Sequence, residues 1–463
     1  MTRVLLVGSG AREHAIASTL AKTMEVELCA AMSSCNPGIM KLAKNTLVTQ
    51  ISNPHAVSDY AKKMRTELAF VGPEAPLVSG VIDALTELGV RCVGPTRTLA
   101  SLEGDKAFCR QLLSKYGIEG NPLFRVFTNS DEAESFLRIA GPVAIKPAGL
   151  TGGKGVKVTG EDLPNKEAEV AYAREIFQNR IGGGQKLVVE ELLDGEEYTL
   201  QAFVDGRNVH VTPLVQDHKR AYENDSGPNT GGMGSYSDRN HLLPFLSNSH
   251  LEVSSRIMRD VIHALRSETG EEYKGILYGQ FTLARSHDQD KPSPKLIEFN
   301  CRFGDPEAMN TLSLLSEETS FLEVCERIAD GTLREKHFSF QDQATVCKYL
   351  VPTEYPQHAM TPQPIIVDEK ALAQQNAHFF YASVNVTNGH VVTTPSRTLA
   401  VVGVADTISD AERIAENATA HIQGPLRHRR DIGTEGLIQK RIEHVKALSA
   451  ASRAMSPLET EIA

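Results

Sequence analysis

Short apolar runs and amphipathic stretches take turns along the first hundred residues. Apolar runs at 3–8, 27–31, 68–72 and 91–94 are separated by helical patterns near 55–64 and 79–88. That alternation predicts a doubly wound parallel sheet. Farther on, 142–147, 156–158, 186–193, 198–204 and 275–283 read as strands, and 105–116, 249–267 and 316–330 as helices. Strands at 345–351, 379–386 and 399–405 precede a helix at 410–421, an α+β pattern. No repeat or low-complexity tract interrupts the series. The fold class expected is a multidomain α/β and α+β chain, with the parallel sheet in 1–104 and a small α+β domain in 336–463.

The most informative pattern is a strict period of two. Ile297, Phe299, Cys301 and Phe303 fall on one face of a strand, and Glu298, Asn300 and Arg302 on the other. A half-buried strand with a solvated face would alternate in the same way. This polar row, however, sets a carboxylate, an amide oxygen and a guanidinium two residues apart. Carboxylate and amide oxygens suit a hard cation such as Mg²⁺, which completes its shell with substrate phosphates. Arg302 suits a phosphate or carboxylate held bidentately. Gly304-Asp305-Pro306-Glu307 then turns and sets two more carboxylates beyond the strand end, which tips the reading toward a metal–phosphate site. The strand at 275–283 is expected to pair with this one across an inert hairpin at 286–294, bringing Gln280 to the same polar face.

Other stretches carry weaker signals. Gly8-Ser9-Gly10-Ala11-Arg12-Glu13-His14 has two of the three glycines of a dinucleotide fingerprint, with Glu13 at the third position. Such a turn at a helix start offers N–H groups to an anion. Gly72-Pro73-Glu74-Ala75-Pro76-Leu77 follows a strand's carboxyl end, where such sheets bind ligands, although a rigid proline turn reads the same. Lys106 sits in the first turn of a helix, where a cation opposes the dipole unless an anion is near. Lys146 ends a strand, and the loop Gly149-Leu-Thr-Gly152-Gly153-Lys154-Gly155 leads into another. The loop is not a P-loop, because no Ser or Thr follows Lys154 and no helix follows the loop. It reads as a flap whose N–H groups can cover phosphates. Residues 213–240 lack periodicity, hold Asp217-His-Lys219-Arg220 and Asn229-Thr230-Gly231, and read as a long substrate-binding loop. The basic run 427–430 reads either as a solvated face or as a closure over an anion.

Composition narrows the class. The chain has 463 residues, 41% hydrophobic and 23% charged, as globular multidomain proteins do. A net charge of −10 argues against a nucleic-acid partner. No apolar run is long enough to span a membrane, and the chain enters a strand at once, without room for a leader. The seven cysteines are scattered without a C-x-x-C pair, which suits reduced thiols in a cytoplasm.

Together these stretches resemble the ATP-grasp superfamily and, within it, the phosphoribosylamine–glycine ligase family, over nearly the whole chain. The runs that carry the resemblance are 8–14, 72–77, Leu102-Glu-Gly-Asp-Lys-Ala-Phe108, 216–220, Gly227-Pro-Asn-Thr-Gly-Gly-Met-Gly234 and 297–307; the last two are the most specific. The C-terminal third matches mainly at Arg430-Asp431-Ile432-Gly433. The resemblance implies an ATP-grasp domain over 105–335 with a flap subdomain at about 125–193. It implies ligation of glycine to 5-phosphoribosylamine with ATP and Mg²⁺ or Mn²⁺, through an acyl phosphate. Catalysis would then be positioning and charge neutralisation, with Arg302 and Lys146 as the catalytic residues. Carried over, Glu298, Asn300 and Gln280 would hold the metal, and Lys106, Lys146 and the loop Gly152, Gly153, Lys154, Gly155 the phosphates. Glu190, Glu191 and Leu193 would frame the adenine, and Glu197 the ribose. Gly10, Glu13, Glu74, Pro76, Asp217, Lys219, Arg220, Asn229, Thr230, Gly231, Arg302 and Asp305 would hold the other two substrates. A monomer or weak dimer without membrane or nucleic-acid partners is expected. Two departures stand out: Ala148 where relatives have a polar flap residue, and the turn 33–38, which puts substrate binding by Asn36 in question. Another carboxylate–amine ligase, an NAD-dependent oxidoreductase with Glu27 on the ribose, and a non-catalytic nucleotide binder are the alternatives.

Overall fold

The structure is a computed structural model and describes residues 1–152, 155–285, 291–335, 338–357 and 361–450. Gly153, Lys154 and most of the 286–294 hairpin lie outside the described residues. Five parallel strands form the first sheet: β1 (Thr2–Val7), β2 (Val26–Met32), β3 (Asn45–Val48), β4 (Leu68–Val71) and β5 (Arg91–Val93), in the order β3-β2-β1-β4-β5. Leu5, Leu6 and Val7 are fully buried, as a strand covered on both faces requires. β3 carries no readable apolar pattern, being an exposed edge strand. The strand order turns back beside β1, so the turns after β1 and β4 share the crevice where such sheets bind ligands.

A second sheet pairs β6 (Phe124–Phe127), β9 (Leu187–Glu191), β7 (Val143–Pro147) and β8 (Lys157–Val158), in that order and antiparallel. With helices Ser130–Leu137 and Lys166–Gln178 it closes its own small core around Phe136, Ile145 and Ile176. The third sheet has the order β11 (Val209–Val211), β10 (Gly195–Asp205), β16 (Lys274–Ala284), β17 (Ser293–Asn300). β16 and β17 pair as the alternation predicts, and Gln280 lies opposite Glu298. The next pair is Phe281 with Leu296, so Ile297 is the extra residue of a β-bulge. The period of two therefore breaks at Ile297. Leu296 and Phe299 fill the core, while Ile297 is half-buried and lines the cleft. The strand ends at Asn300, leaving Arg302 in the bend beyond it.

Residues 213–240 are not a loop. They form β12 (Gln216–Asp217), β13 (Arg220–Tyr222), β14 (Ser226–Asn229) and β15 (Gly234–Ser237). β13 and β14 make a small hairpin, while β12 and β15 join the C-terminal sheet. That sheet has the order β12-β15-β18-β23-β20, with β18 (Ala344–Pro352), β20 (Ala377–Tyr381) and β23 (Leu399–Ala405). β25 (Leu426–Arg427) pairs with the end of β18, and β19 (Ile366–Val367) with β24 (Ile422–Gln423). The strand expected at 379–386 is two, because the chain leaves β20 and starts a hairpin of β21 (Val384–Thr387) and β22 (His390–Thr393). Helix Ile408–Thr419 lies against β23, and Gly403 permits the contact: a Cβ there would stand 2.0 Å from the Ala411 carbonyl oxygen. No helix among the described residues is long and apolar enough to cross a membrane.

Candidate active site

A cleft of about 720 Å³ opens between the second and third sheets and reaches the first and the C-terminal sheets. Its floor is the polar row of β17. Asn300 Nδ2 donates to Glu298 Oε1 at 3.3 Å, and Arg302 Nη2 donates to Asn300 Oδ1 at 3.3 Å. Burial pushes the Glu298 carboxyl up, but Lys106, Lys219 and Lys146 outweigh it and hold the group below its ordinary value. Arg302 stands 3.3 Å from Glu103 and 3.5 Å from Glu74, and its buried Nε completes no hydrogen bond. Burial lifts Glu103 to about 7 against the opposing pull of Arg302. The Glu103 carboxylate also accepts the Cys301 N–H at 2.7 Å, fixing the bend in which Arg302 sits.

The wall from β9 is built differently. Glu190 takes Arg110 Nε and Nη2 at 2.8 Å each and Lys146 Nζ at 2.7 Å. Burial opposes its ionisation, yet Arg110 and Lys146 bring the carboxyl down to about 2. Arg110 Nη2 and Lys146 Nζ also donate to the Ile297 carbonyl, at 2.7 and 3.4 Å, so the bulge in β17 binds this cluster to the floor. Glu191 is engaged with Leu123, accepting its N–H at 2.8 Å and donating its own to the carbonyl at 3.0 Å. Leu193 and Gly152 line the cleft. Gly155 donates to Thr151 Oγ1 at 3.2 Å and accepts from the Tyr172 hydroxyl at 2.7 Å. Among the described residues, Lys106 Nζ reaches only the Gly149 carbonyl, at 3.5 Å.

At the mouth, Glu197 Oε2 accepts from Gln280 Nε2 at 2.5 Å and from Lys219 Nζ at 3.2 Å. Gln280 thus turns its amide nitrogen to Glu197 and keeps its oxygen for another partner. Burial lifts the nearby Asp217 carboxyl to about 7, with Lys219 opposing. Arg220 pairs with Glu161 and donates to the Gly227 carbonyl at 3.0 Å, tying hairpin and flap together. Thr230 donates to the Lys219 carbonyl at 2.7 Å, while Asn229 and Gly231 are exposed along the rim. Asp305 accepts from the Tyr349 hydroxyl and stands 3.3 Å from Arg397.

The first sheet departs from expectation. The Gly10 N–H donates to Glu13 Oε2 at 2.7 Å, and Arg12 Nε donates to Glu13 Oε1 at 2.5 Å. The chain's own carboxylate therefore takes the place read as open to an external anion. Gly72 leaves room for it, since a Cβ there would stand 2.2 Å from Glu13 Oε1. Gly10, Glu13 and Pro76 do not line the cleft; Arg12 and Glu74 do. Asn36 is fully buried, its Oδ1 capping helix Pro37–Leu42 and its Nδ2 donating to the Ser9 and Tyr381 carbonyls at 2.9 and 2.8 Å. These bonds tie the turn after β2 to the first helix turn and to β20.

Several cleft residues escaped the sequence reading. Arg110 was legible, since it lies four residues from Lys106 on one helix face. Arg397 was not: it comes from the C-terminal sheet's loops and donates to the carbonyls of Gly231, Gly232 and Asp305 at 2.7–3.0 Å. The run 427–430 proves to be largely internal, with Arg429 fully buried between Asp225 and Asp431 and only Arg430 strongly exposed.

Family models described as phosphoribosylglycinamide synthetase match in three parts: the N domain over residues 2–103, the ATP-grasp (A) domain over 104–308 and the C domain over 345–435. The phosphoribosylamine–glycine ligase of Methanosarcina barkeri is 49% identical over 447 residues, spanning 96% of this chain and 99% of that protein. That of Methanocaldococcus jannaschii is 48% identical over 451 residues, spanning 96% of this chain and 99% of that protein. A crystal structure of phosphoribosylamine–glycine ligase from Thermotoga maritima is similar with a TM-score of 0.77 at 26% identity, over 93% of this chain and 100% of that one. The biotin carboxylase domain of Hydrogenobacter thermophilus 2-oxoglutarate carboxylase shares the fold, with a TM-score of 0.70 at 15% identity over 98% and 99% of the two chains.

Proposed function

The chain belongs to the phosphoribosylglycinamide synthetase family, and from that premise we propose how its cleft carries the reaction. The chain is an ATP-grasp ligase that joins glycine to 5-phosphoribosylamine with ATP, in purine biosynthesis. In the proposed sequence a glycine carboxylate oxygen attacks the γ-phosphorus of ATP and ADP leaves, giving glycyl phosphate. The ribosylamine nitrogen then attacks the carbonyl carbon, loses a proton, and expels phosphate to give glycinamide ribonucleotide.

The donor set of β17 and β16 fits a hard divalent cation, because among the described residues Glu298 accepts only from Asn300 Nδ2, the Asn300 oxygen accepts only from Arg302 at 3.3 Å, and the Gln280 oxygen accepts no bond. These three would hold Mg²⁺ or Mn²⁺, which when bound neutralises charge on the phosphates. Lys106 and Lys146 would hold the phosphates beneath the Gly152–Gly155 flap. Glu190 would act through Lys146 by fixing where its ammonium points. Arg302, whose Nε makes a 3.5 Å ion pair with Glu74, would meet the transferring phosphoryl group. Glu191 and Leu193 would border the adenine and Glu197 the ribose. Glu74, Asp217, Lys219, Arg220, Asn229, Thr230, Gly231 and Asp305 would surround glycine and phosphoribosylamine, with Gly10, Glu13 and Pro76 supporting that wall from behind. We place the enzyme in the cytoplasm, a setting its seven free thiols favour.

The observation that carries this reading is the unfilled acceptor capacity of Glu298, held ionised by three lysines beside Asn300 and Arg302. ADP release with Mg-ATP, omitting glycine and phosphoribosylamine in turn, tests it. Strict dependence on both supports the ligase, and equal release with a different acid–amine pair overturns the substrate assignment.

A further inference from the structure

The C-terminal helix, Glu435–Ala450, lies against β10 and the β13–β14 hairpin rather than against its own sheet alone. Arg441 stands between two carboxylates of different elements. Its Nε is 3.3 Å from Glu196 Oε2 on β10, and its Nη2 donates to Asp225 in the turn between β13 and β14. One turn further on, His444 Nδ1 lies 2.7 Å from Glu196 Oε1 and Nε2 lies 3.3 Å from Asp194 Oδ1. Asp194 and Glu196 lie between Leu193 and Glu197, which border the nucleotide in the proposed function, and the hairpin leads into Asn229-Thr230-Gly231 on the acceptor side.

The hairpin tip depends on this neighbour. Asn224 and Asp225 both hold left-handed backbone, with φ of 58° and 53°, a conformation that persists only when its surroundings over-determine it. Lys440 Nζ donates to Asn224 Oδ1 at 3.0 Å, and Arg429 Nη1 donates to Asp225 Oδ1 at 2.9 Å. Two binding edges therefore share one guanidinium, and ordering either edge orders the group that the other needs.

Resting on the functional reading above, we propose that Arg441 is a positioning residue that couples the two ends of the cleft, so that nucleotide and phosphoribosyl acceptor each tighten the binding of the other. A ligand that fixes one edge lowers the ordering loss met by the second, and such coupling is reciprocal. Lysine at this position keeps the charge but reaches one carboxylate at a time, because it lacks the planar fork.

The test is the dissociation constant of Mg²⁺ with a non-hydrolysable ATP analogue, measured by calorimetry alone and with saturating glycinamide ribonucleotide. The full-length enzyme should bind the analogue about tenfold more tightly when the ribonucleotide is present. Arg441→Gln and the charge-conserving Arg441→Lys should reduce that ratio to within about twofold of unity, the second keeping the fold if the first does not. A helix that merely supports the fold would weaken both ligands and leave the ratio unchanged, and that result overturns the inference alone. A wild-type ratio of one overturns it too. Failure of the ribonucleotide to bind the wild type overturns the functional reading and the inference with it.

Discussion

Glu190 and Glu298 are both carboxylates on strands that face one cleft, the first buried and the second half-buried, and their surroundings could hardly differ more. Glu190 has three charge-assisted bonds at 2.7–2.8 Å, which leave it little capacity for a ligand. Among the described residues, Glu298 accepts a single 3.3 Å bond, from Asn300, and feels its lysines through space. A saturated carboxylate is a scaffold that aims Arg110 and Lys146; an unsaturated one, kept ionised by distant cations, is poised for a ligand. Neighbouring cations hold both below the ordinary carboxylate value, so what sets the two apart, beyond the greater exposure of Glu298, is the count of filled acceptor positions.

Removing the saturated member should damage stability first. Glu190→Ala leaves Arg110 and Lys146 buried without their anion, and urea denaturation should show a loss of about 3–5 kcal/mol. The sign with pH follows. Because the folded value is about 2 against an ordinary 4.5, this stabilisation is present above pH 4.5 and drains away as pH falls toward 2, amounting to about 3 kcal/mol. Glu190→Gln should flatten that limb of the stability profile; an unchanged limb would break the contrast from the scaffold side. On the other side, Arg302→Lys loses the bidentate fork and should lower kcat/KM by about tenfold to a hundredfold, with thermal stability changed little. Equal loss of stability would move Arg302 into the scaffold class. The smallest effect belongs to Asn36, another fully engaged side chain: Asn36→Ala should lower stability by about 1 kcal/mol through the lost helix cap. A selective rise in the KM for phosphoribosylamine would instead give it a binding role.

How far the sequence could be read follows from the same distinction between local and distant partners. The parallel sheet was legible because β1, β2, β4 and β5 are near-continuous apolar runs, whereas β3 is a half-polar edge with nothing to read. The alternation from Ile297 to Phe303 located the polar row Glu298, Asn300 and Arg302, but the bulge at Ile297 left no mark in the residue pattern. β12 and β15 looked like loop because both are short and polar and the sheet they join is distant; β15 pairs with β18 more than a hundred residues away. The glycine turn after β1 suggested an anion site, yet in the folded chain Glu13 accepts the Gly10 N–H itself. Arg397 and Arg441 reach the cleft from the C-terminal region, and nothing in their local sequence announces where they end up.

The central claim is that the unsaturated row of β17 holds the metal that orders the phosphates. The most direct measurement is the Mg²⁺ dependence of ADP formation by Glu298→Gln, which preserves shape and removes the anion. The account predicts that the Mg²⁺ concentration for half-maximal rate rises by at least about tenfold, with thermal stability near that of the wild type. A variant with wild-type Mg²⁺ dependence and wild-type kcat would contradict it.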